Sequence, residues 1–227
     1  MADTVNRRPL KSRSAGWAKA AAAAMAHADV NPDLVSALSV AFAAMGGALM
    51  MVAAGSSFGP LRSVLFLLAA ATIQLRLLCN LLDGMIAVEH GQGSSAGPIW
   101  NELPDRIADV IFLAAAGYAA AAAGMFFGAE LGWICAALAL LTAYVRELGR
   151  GLGFPADFAG PMAKPHRMAA LTAACGVSAL EPLWGWRGQS LMIGLAVIGL
   201  GTAFTVFRRT RTLARRLAER GQSGEGS

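Results

Sequence analysis

The chain has 227 residues, 56% of them hydrophobic and 15% charged, with a formal net charge of +5. A water-soluble domain carries about 25% charged residues, and the mean hydropathy of +0.53 excludes one here. The positive charge is spread over the flanks of apolar segments instead of forming one patch, which argues against nucleic acid as a partner.

The composition predicts an all-α, polytopic membrane protein with about six transmembrane helices. Residues 1–30 read as a cytoplasmic N-terminal tail. Its start is polar and basic, with Arg7, Arg8, Lys11, Arg13 and Lys19, and lacks the early apolar run of a cleavable signal peptide. Residues 15–29, an Ala-rich run behind Trp17, suit a helix lying on the membrane surface; a poorly ordered tail is the competing reading. Residues 31–207 form the membrane domain. Its apolar segments run from Leu34 to Ala54, Ser63 to Ala87, Asp105 to Phe127, Leu131 to Arg150, Met168 to Leu183 and Ser190 to Phe207. Residues 208–227 read as a basic tail, through Arg208, Arg209, Arg211, Arg215, Arg216 and Arg220, that ends disordered in Gly-Gln-Ser-Gly-Glu-Gly-Ser.

Basic residues orient the spans. They precede the first, surround the loop between the fourth and fifth (Arg146, Arg150, Lys164, Arg167) and follow the sixth. On the other side only Arg62 and Arg187 remain. The positive-inside rule therefore places both termini and the 88–104 loop in the cytoplasm. Trp184 and Trp186 fall in the last outer loop, at the level of an aromatic belt, and Glu181 nearby is expected in water. Cys79, Cys135 and Cys175 lie in apolar runs without C-x-x-C spacing and read as small buried hydrophobes.

The chemistry concentrates at the cytoplasmic ends of spans two and three. Asn80 and Asp83 are three apart, and Asn101, Asp105 and Asp109 follow at intervals of four, so each set shares a helix face. Ionisable groups in a span are a functional hypothesis by default. Asp83, Glu102, Asp105 and Asp109, with the amide oxygens of Asn80 and Asn101, are hard donors that favour Mg²⁺ or Mn²⁺ and, through the ion, a phosphate substrate. Gly84 and Ala87 lack the bulk that would keep a ligand off the helix. The bland alternative is that these acids only cap span three. It leaves the paired positions on span two without a role.

This stretch resembles the CDP-alcohol phosphatidyltransferase family, whose pattern is D-x-x-D-G-x-x-A-R-x8-G-x3-D-x3-D. Asp83, Gly84, Ala87, Gly97 and Asp105 fall at matching positions, with the eight-residue spacer kept. Pro32 to Ser36 resembles the family's entry into span one, and Arg146-Glu147 its R-E segment. The departures are Asn80 and Asn101, where the family has Asp, and Val88, where it has Arg. The resemblance implies transfer of a phosphatidyl group from a CDP-linked lipid, CDP-diacylglycerol, to an alcohol acceptor, with release of CMP; glycerol 3-phosphate is the leading choice, and an inositol phosphate or a second lipid is equally compatible with the residues. It implies divalent metal at Asn80, Asp83, Asn101 and Asp105, with Glu102 and Asp109 beside them. Glu102 can restore a missing charge only if the helix start at 101–104 is unwound. Asp105 is then the general base, while Asp83, Gly84, Ala87 and Gly97 line the nucleotide pocket. Arg146, Arg150, Lys164 and Arg167 read the acceptor's phosphate. Arg76, four before Asn80, pairs with a site carboxylate or stands in for the missing Arg. The implied setting is the bacterial inner membrane, with a homodimer as the assembly; the small-residue run from Ala114 to Gly124 is a candidate face for it, and packing within one chain explains that run equally well. A non-catalytic, CDP-lipid-binding regulatory relative is the alternative. A small transporter is disfavoured by the lack of an internal repeat.

Overall fold

The computed structural model describes residues 15–57 and 59–224. They form seven helices: α1 (Gly16–His27), α2 (Pro32–Gly55), α3 (Gly59–Glu89), α4 (Gly97–Ala122), α5 (Gly128–Gly151), α6 (Lys164–Leu180) and α7 (Gln189–Gly224). Local sequence explains the boundaries. Asn31 caps α2 by accepting from the Asp33 amide at 2.8 Å, and Pro32 takes the first helical position. Pro98 stands at the second position of α4, which has no side-chain cap, and a left-handed Gly153 closes the turn after α5.

Helices α2 to α7 close a ring, in the spatial order α2, α3, α6, α7, α5, α4 and back to α2. Its centre is filled by Met50, Phe66, Ile73, Phe112, Leu171 and Leu195, with small residues between them. Lipid gives apolar helices no hydrophobic reason to associate, so close backbone approach must hold them. Where α4 meets α5, a Cβ on Gly117 would lie 2.7 Å from the Gly128 carbonyl oxygen and 2.7 Å from the Gly132 Cα. The run from Ala114 to Gly124 thus serves packing within the chain. Ala18, Ala22 and Ala26 of α1, four apart, bury against Leu81, Leu82, Met85 and Ile86 at the end of α3. Cys135 and Cys175 are buried and Cys79 half-buried, all three as free thiols.

The chain is an all-α, polytopic membrane protein. Four of the helices, α2, α3, α5 and α7, are long and apolar enough to cross a membrane. The about six spans expected from hydropathy are six helices, but α4 carries Glu102, Asp105, Arg106 and Asp109 in its first half, and α6 has only 17 residues. Three further expectations change. α4 begins at Gly97 instead of Asp105 and runs unbroken through Pro104, so no unwound start brings Glu102 beside Asn101. α7 continues as helix to Gly224, so the tail read as disordered is helical at least that far; residues 225–227, like Arg7, Arg8, Lys11 and Arg13, lie outside the described residues. Glu181 is fully buried instead of solvated. It accepts from Arg62 at 2.6 Å and from the amides of Gly188 at 2.9 Å and Ser190 at 2.7 Å. Sequence spacing cannot reveal this pairing, because its partners lie 119 and seven to nine residues away.

Two outcomes test this packing. Gly117→Leu forces α4 off α5 and costs about 1–3 kcal/mol of stability; Gly176→Ala, with nothing within 4 Å, leaves stability equal or raised. Thermal unfolding in detergent reads both. Burial pushes the Glu181 carboxyl up, but its bonds from Gly188, Arg62 and Ser190 outweigh that and hold it below its ordinary value of 4.5. Its stabilisation is therefore complete above pH 4.5 and lost as the pH falls through the lower folded value. Glu181→Gln removes that acid-side loss, and equal acid sensitivity of the two proteins would exclude it.

Candidate active site

One end of the ring gathers the polar residues. It is formed by the start of α2, the last turns of α3, the start of α4, the last turns of α5 and the start of α6. On α3, Arg76, Asn80 and Asp83 recur at spacings of four and three, and on α4, Asp105 and Asp109 recur at four. Both faces therefore turn to the same interior.

An inner ionic chain joins these elements. Arg76 donates to Asp105 Oδ1 at 3.0 Å, to the Asp105 carbonyl at 3.1 Å and to Asp109 Oδ1 at 3.5 Å. Arg167 donates to Asp109 Oδ2 at 2.6 Å and to the Met162 carbonyl at 3.1 Å. Lys164 Nζ donates to Asn80 Oδ1 at 2.7 Å and also to Asp105 Oδ2. Asp83 stands apart. It accepts from the Ser36 hydroxyl and, at 2.5 Å, from the Gly84 amide. Arg76, Asp83, Asp105, Asp109 and Arg167 are all buried.

An outer chain lies closer to water. Glu102 accepts from Arg106 at 2.7 Å and Arg146 at 2.5 Å. Arg146 also bonds Glu147 at 2.8 Å, and Arg150 bonds Glu147 at 2.8 Å. The Arg146 guanidinium sits over the Phe158 ring, 5.6 Å from its centroid. A small cleft opens here between α5 and α7, lined by Arg146, Phe154, Asp157, Arg209 and Arg216.

The structure thus brings together Asn80, Asp83, Asp105, Asp109, Lys164 and Arg167, and places Glu102, Arg146 and Arg150 in a separate chain. Asn101 is exposed in the second turn of α4, although the spacing of four put it with Asp105, Gly97 is the first residue of that helix, and Gly84 and Ala87 are half-buried on α3. Among the described residues, no three acidic, His or Cys side chains converge as a metal cage of their own. The donors present are hard oxygens, and one of them calls for a cation. Asp83 is 4% exposed and, unlike Asp105 and Asp109, is paired with no basic side chain. A buried carboxylate without a counter-charge is costly, so a divalent ion fits at Asp83. Three contributors carried no site role in the sequence reading. Ser36 was only part of the motif entering span one, and Arg209 and Arg216 read as anchors in a basic tail. Their spatial partners are far away in sequence.

The fold has counterparts among known proteins. A phosphatidylinositol phosphate synthase of Streptomyces avermitilis is 25% identical over 193 residues, covering 84% of this chain and 75% of that protein. The inner membrane protein YnbA of Escherichia coli is 29% identical over 197 residues, covering 84% and 87%. The crystal structure of the Mycobacterium tuberculosis phosphatidylinositol phosphate synthase with manganese and citrate superposes with a TM-score of 0.70 at 21% identity, covering 86% of this chain and 88% of that one. The same enzyme with CDP-DAG bound gives 0.68 at 20% identity, covering 88% and 94%. The chain has the fold of a phosphatidylinositol phosphate synthase. No protein-family model matches it.

The inner chain makes a testable demand on stability. Arg76→Met leaves two buried carboxylates short of a partner and is expected to cost about 3–5 kcal/mol. Adding Asp109→Asn to it recovers part of the loss in thermal unfolding.

Proposed function

We propose that the chain is a CDP-alcohol phosphatidyltransferase of the inner membrane of a bacterium, with α4 and α6 completing six spans and the site facing the cytoplasm. The observation that carries this reading is the gathering of Asp83, Asp105, Asp109 and Lys164 at one end of a bundle whose fold is shared with a synthase crystallised with CDP-DAG. The acceptor is an inositol phosphate in place of glycerol 3-phosphate, because the synthases it resembles carry phosphatidylinositol phosphate in their names.

Asp83, with the Ser36 hydroxyl beside it, would hold a divalent ion, Mg²⁺ or Mn²⁺, which neutralises the pyrophosphate when bound. Gly84 and Ala87 leave room for the nucleotide beside α3. Lys164 and Arg76 orient the Asp105 carboxylate from two sides. Asp105 takes the proton of the acceptor hydroxyl as its oxygen bonds the lipid-side phosphorus, the anhydride bond breaks, and CMP leaves. Catalysis is mainly positioning plus electrostatic stabilisation. The acceptor's phosphate is read by the basic residues that face the cleft and its rim, Arg146 and Arg150 first, because guanidinium forks suit phosphate geometry.

Purified protein in detergent, given CDP-diacylglycerol, Mg²⁺ or Mn²⁺ and either inositol phosphate or glycerol 3-phosphate, tests this through CMP release. The expected result is metal-dependent release that needs inositol phosphate and falls about 10²–10⁴-fold in Asp105→Asn. Asn80, Asn101 and the Lys164 bond on Asp105 favour a second reading, a non-catalytic CDP-lipid binder. Retained binding of the lipid without CMP release for either acceptor would select it.

A further inference from the structure

Charge is distributed unevenly across the inner site. Three cations, Arg76, Lys164 and Arg167, make four ion pairs, all with Asp105 and Asp109. Asp83 is equally buried and takes part in none of them; its oxygens meet only a hydroxyl and an amide. Among the described residues Asp83 therefore has no ion pair of its own, beside two carboxylates that share three cations.

Lys164 makes the asymmetry structural. Its ammonium joins α3 to α4 by bonding Asn80 Oδ1 and Asp105 Oδ2, which engages two of the oxygen donors a cation there would need. Residue 80 is an amide, so it offers an ammonium or a metal an oxygen but no charge. Its neutrality suits a monovalent partner that must also satisfy Asp105. Asn101, the other amide in the pattern, is exposed. An ammonium this close repels a further dication, and burial leaves little water to screen the repulsion. Adding charges gives the same result. Asp83, Asp105 and Asp109 cancel Arg76, Lys164 and Arg167, so one dication leaves the interior at plus two, matched to a pyrophosphate. A second ion would leave it at plus four.

We propose that this site holds one divalent cation, seated on Asp83, and that the Lys164 ammonium permanently occupies the position between Asn80 and Asp105. Lys164 is thereby a built-in counter-cation of the site and not a reader of the acceptor's phosphate. The inference deepens the transferase reading and rests on it only for the presence of a divalent ion.

The test counts Mn²⁺ on the full-length protein in detergent, by equilibrium dialysis with metal analysis, and examines its electron paramagnetic resonance for coupling between ions. The wild-type protein is expected to bind one Mn²⁺ per chain with an uncoupled spectrum. Asp83→Asn is expected to bind none. The double variant Asn80→Asp, Lys164→Met restores a carboxylate and removes the ammonium, and is expected to bind two coupled ions. Two ions in the wild-type protein, none in it, one surviving in Asp83→Asn, or one persisting in the double variant each overturns the proposal. The wild-type count needs no variant to fold; monodispersity and helical circular dichroism qualify the other two. CMP release is measured separately. Absent release with one Mn²⁺ on Asp83 defeats the transferase reading alone, whereas release with two ions in the wild-type protein defeats this proposal alone.

Discussion

The pairing of three buried basic side chains with Asp105 and Asp109 sets the arrangement of everything around it. Taking ions out of water is expensive, and the cost is met only when geometry is good and the remaining donors and acceptors are bonded. Arg76 spends one nitrogen on both carboxylates and on the Asp105 carbonyl, while Arg167 ties Asp109 to the Met162 carbonyl. These bonds require α3, α4 and α6 to meet at one depth. The ring order, in which α3 contacts α6 and α4 lies across from both, follows from that requirement as much as from apolar packing.

A second clamp acts at the opposite end. Arg62 near the start of α3 meets Glu181 just after α6, so the same two helices are joined by an ion pair here and by the Lys164 hydrogen bond to Asn80 at the other end. Between the clamps, contact relies on small residues and dispersion, as expected where lipid offers no hydrophobic drive. Gly117 and Gly132 let α4 and α5 touch backbone to backbone, which fixes the rotation of α4. That rotation decides which residues face inward: Asp105 and Asp109 do, Asn101 does not, and Glu102 turns toward Arg146.

Much of this was legible in the sequence, for identifiable reasons. Hydropathy locates an apolar segment whatever it packs against, so each expected segment overlaps one bundle helix, although α4 begins earlier and α7 ends later than expected. Helical spacing correctly put Asn80 with Asp83 and Asp105 with Asp109 on shared faces, because that depends only on residues per turn. What was not legible is pairing across the chain. Lys164 meets Asp105 from 59 residues away and Ser36 meets Asp83 from 47. Neither separation leaves a periodic trace. Glu181 misled for the same reason: near a loop it reads as solvated, and only the fold brings Arg62 and two amides to it. Pro104 misled in a different way. A proline argues for a break, yet one missing amide bond in an α4 held on both sides by packing does not unwind it.

The two asparagines acquire a physical meaning from this frame. Removing a carboxylate from a buried cation site is destabilising for the cation and not for the protein, provided another positive group takes the seat. Asn80 keeps an oxygen where Lys164 needs one and withholds a charge that a dication would need. Asn101 lies outside the interior, where its charge state matters little to the inner chain. The departures from the family pattern therefore do not require loss of the site. They change what balances it: part of the positive charge near Asp105 is carried by the chain itself, while Asp83 is, among the described residues, a buried acid outside any ion pair.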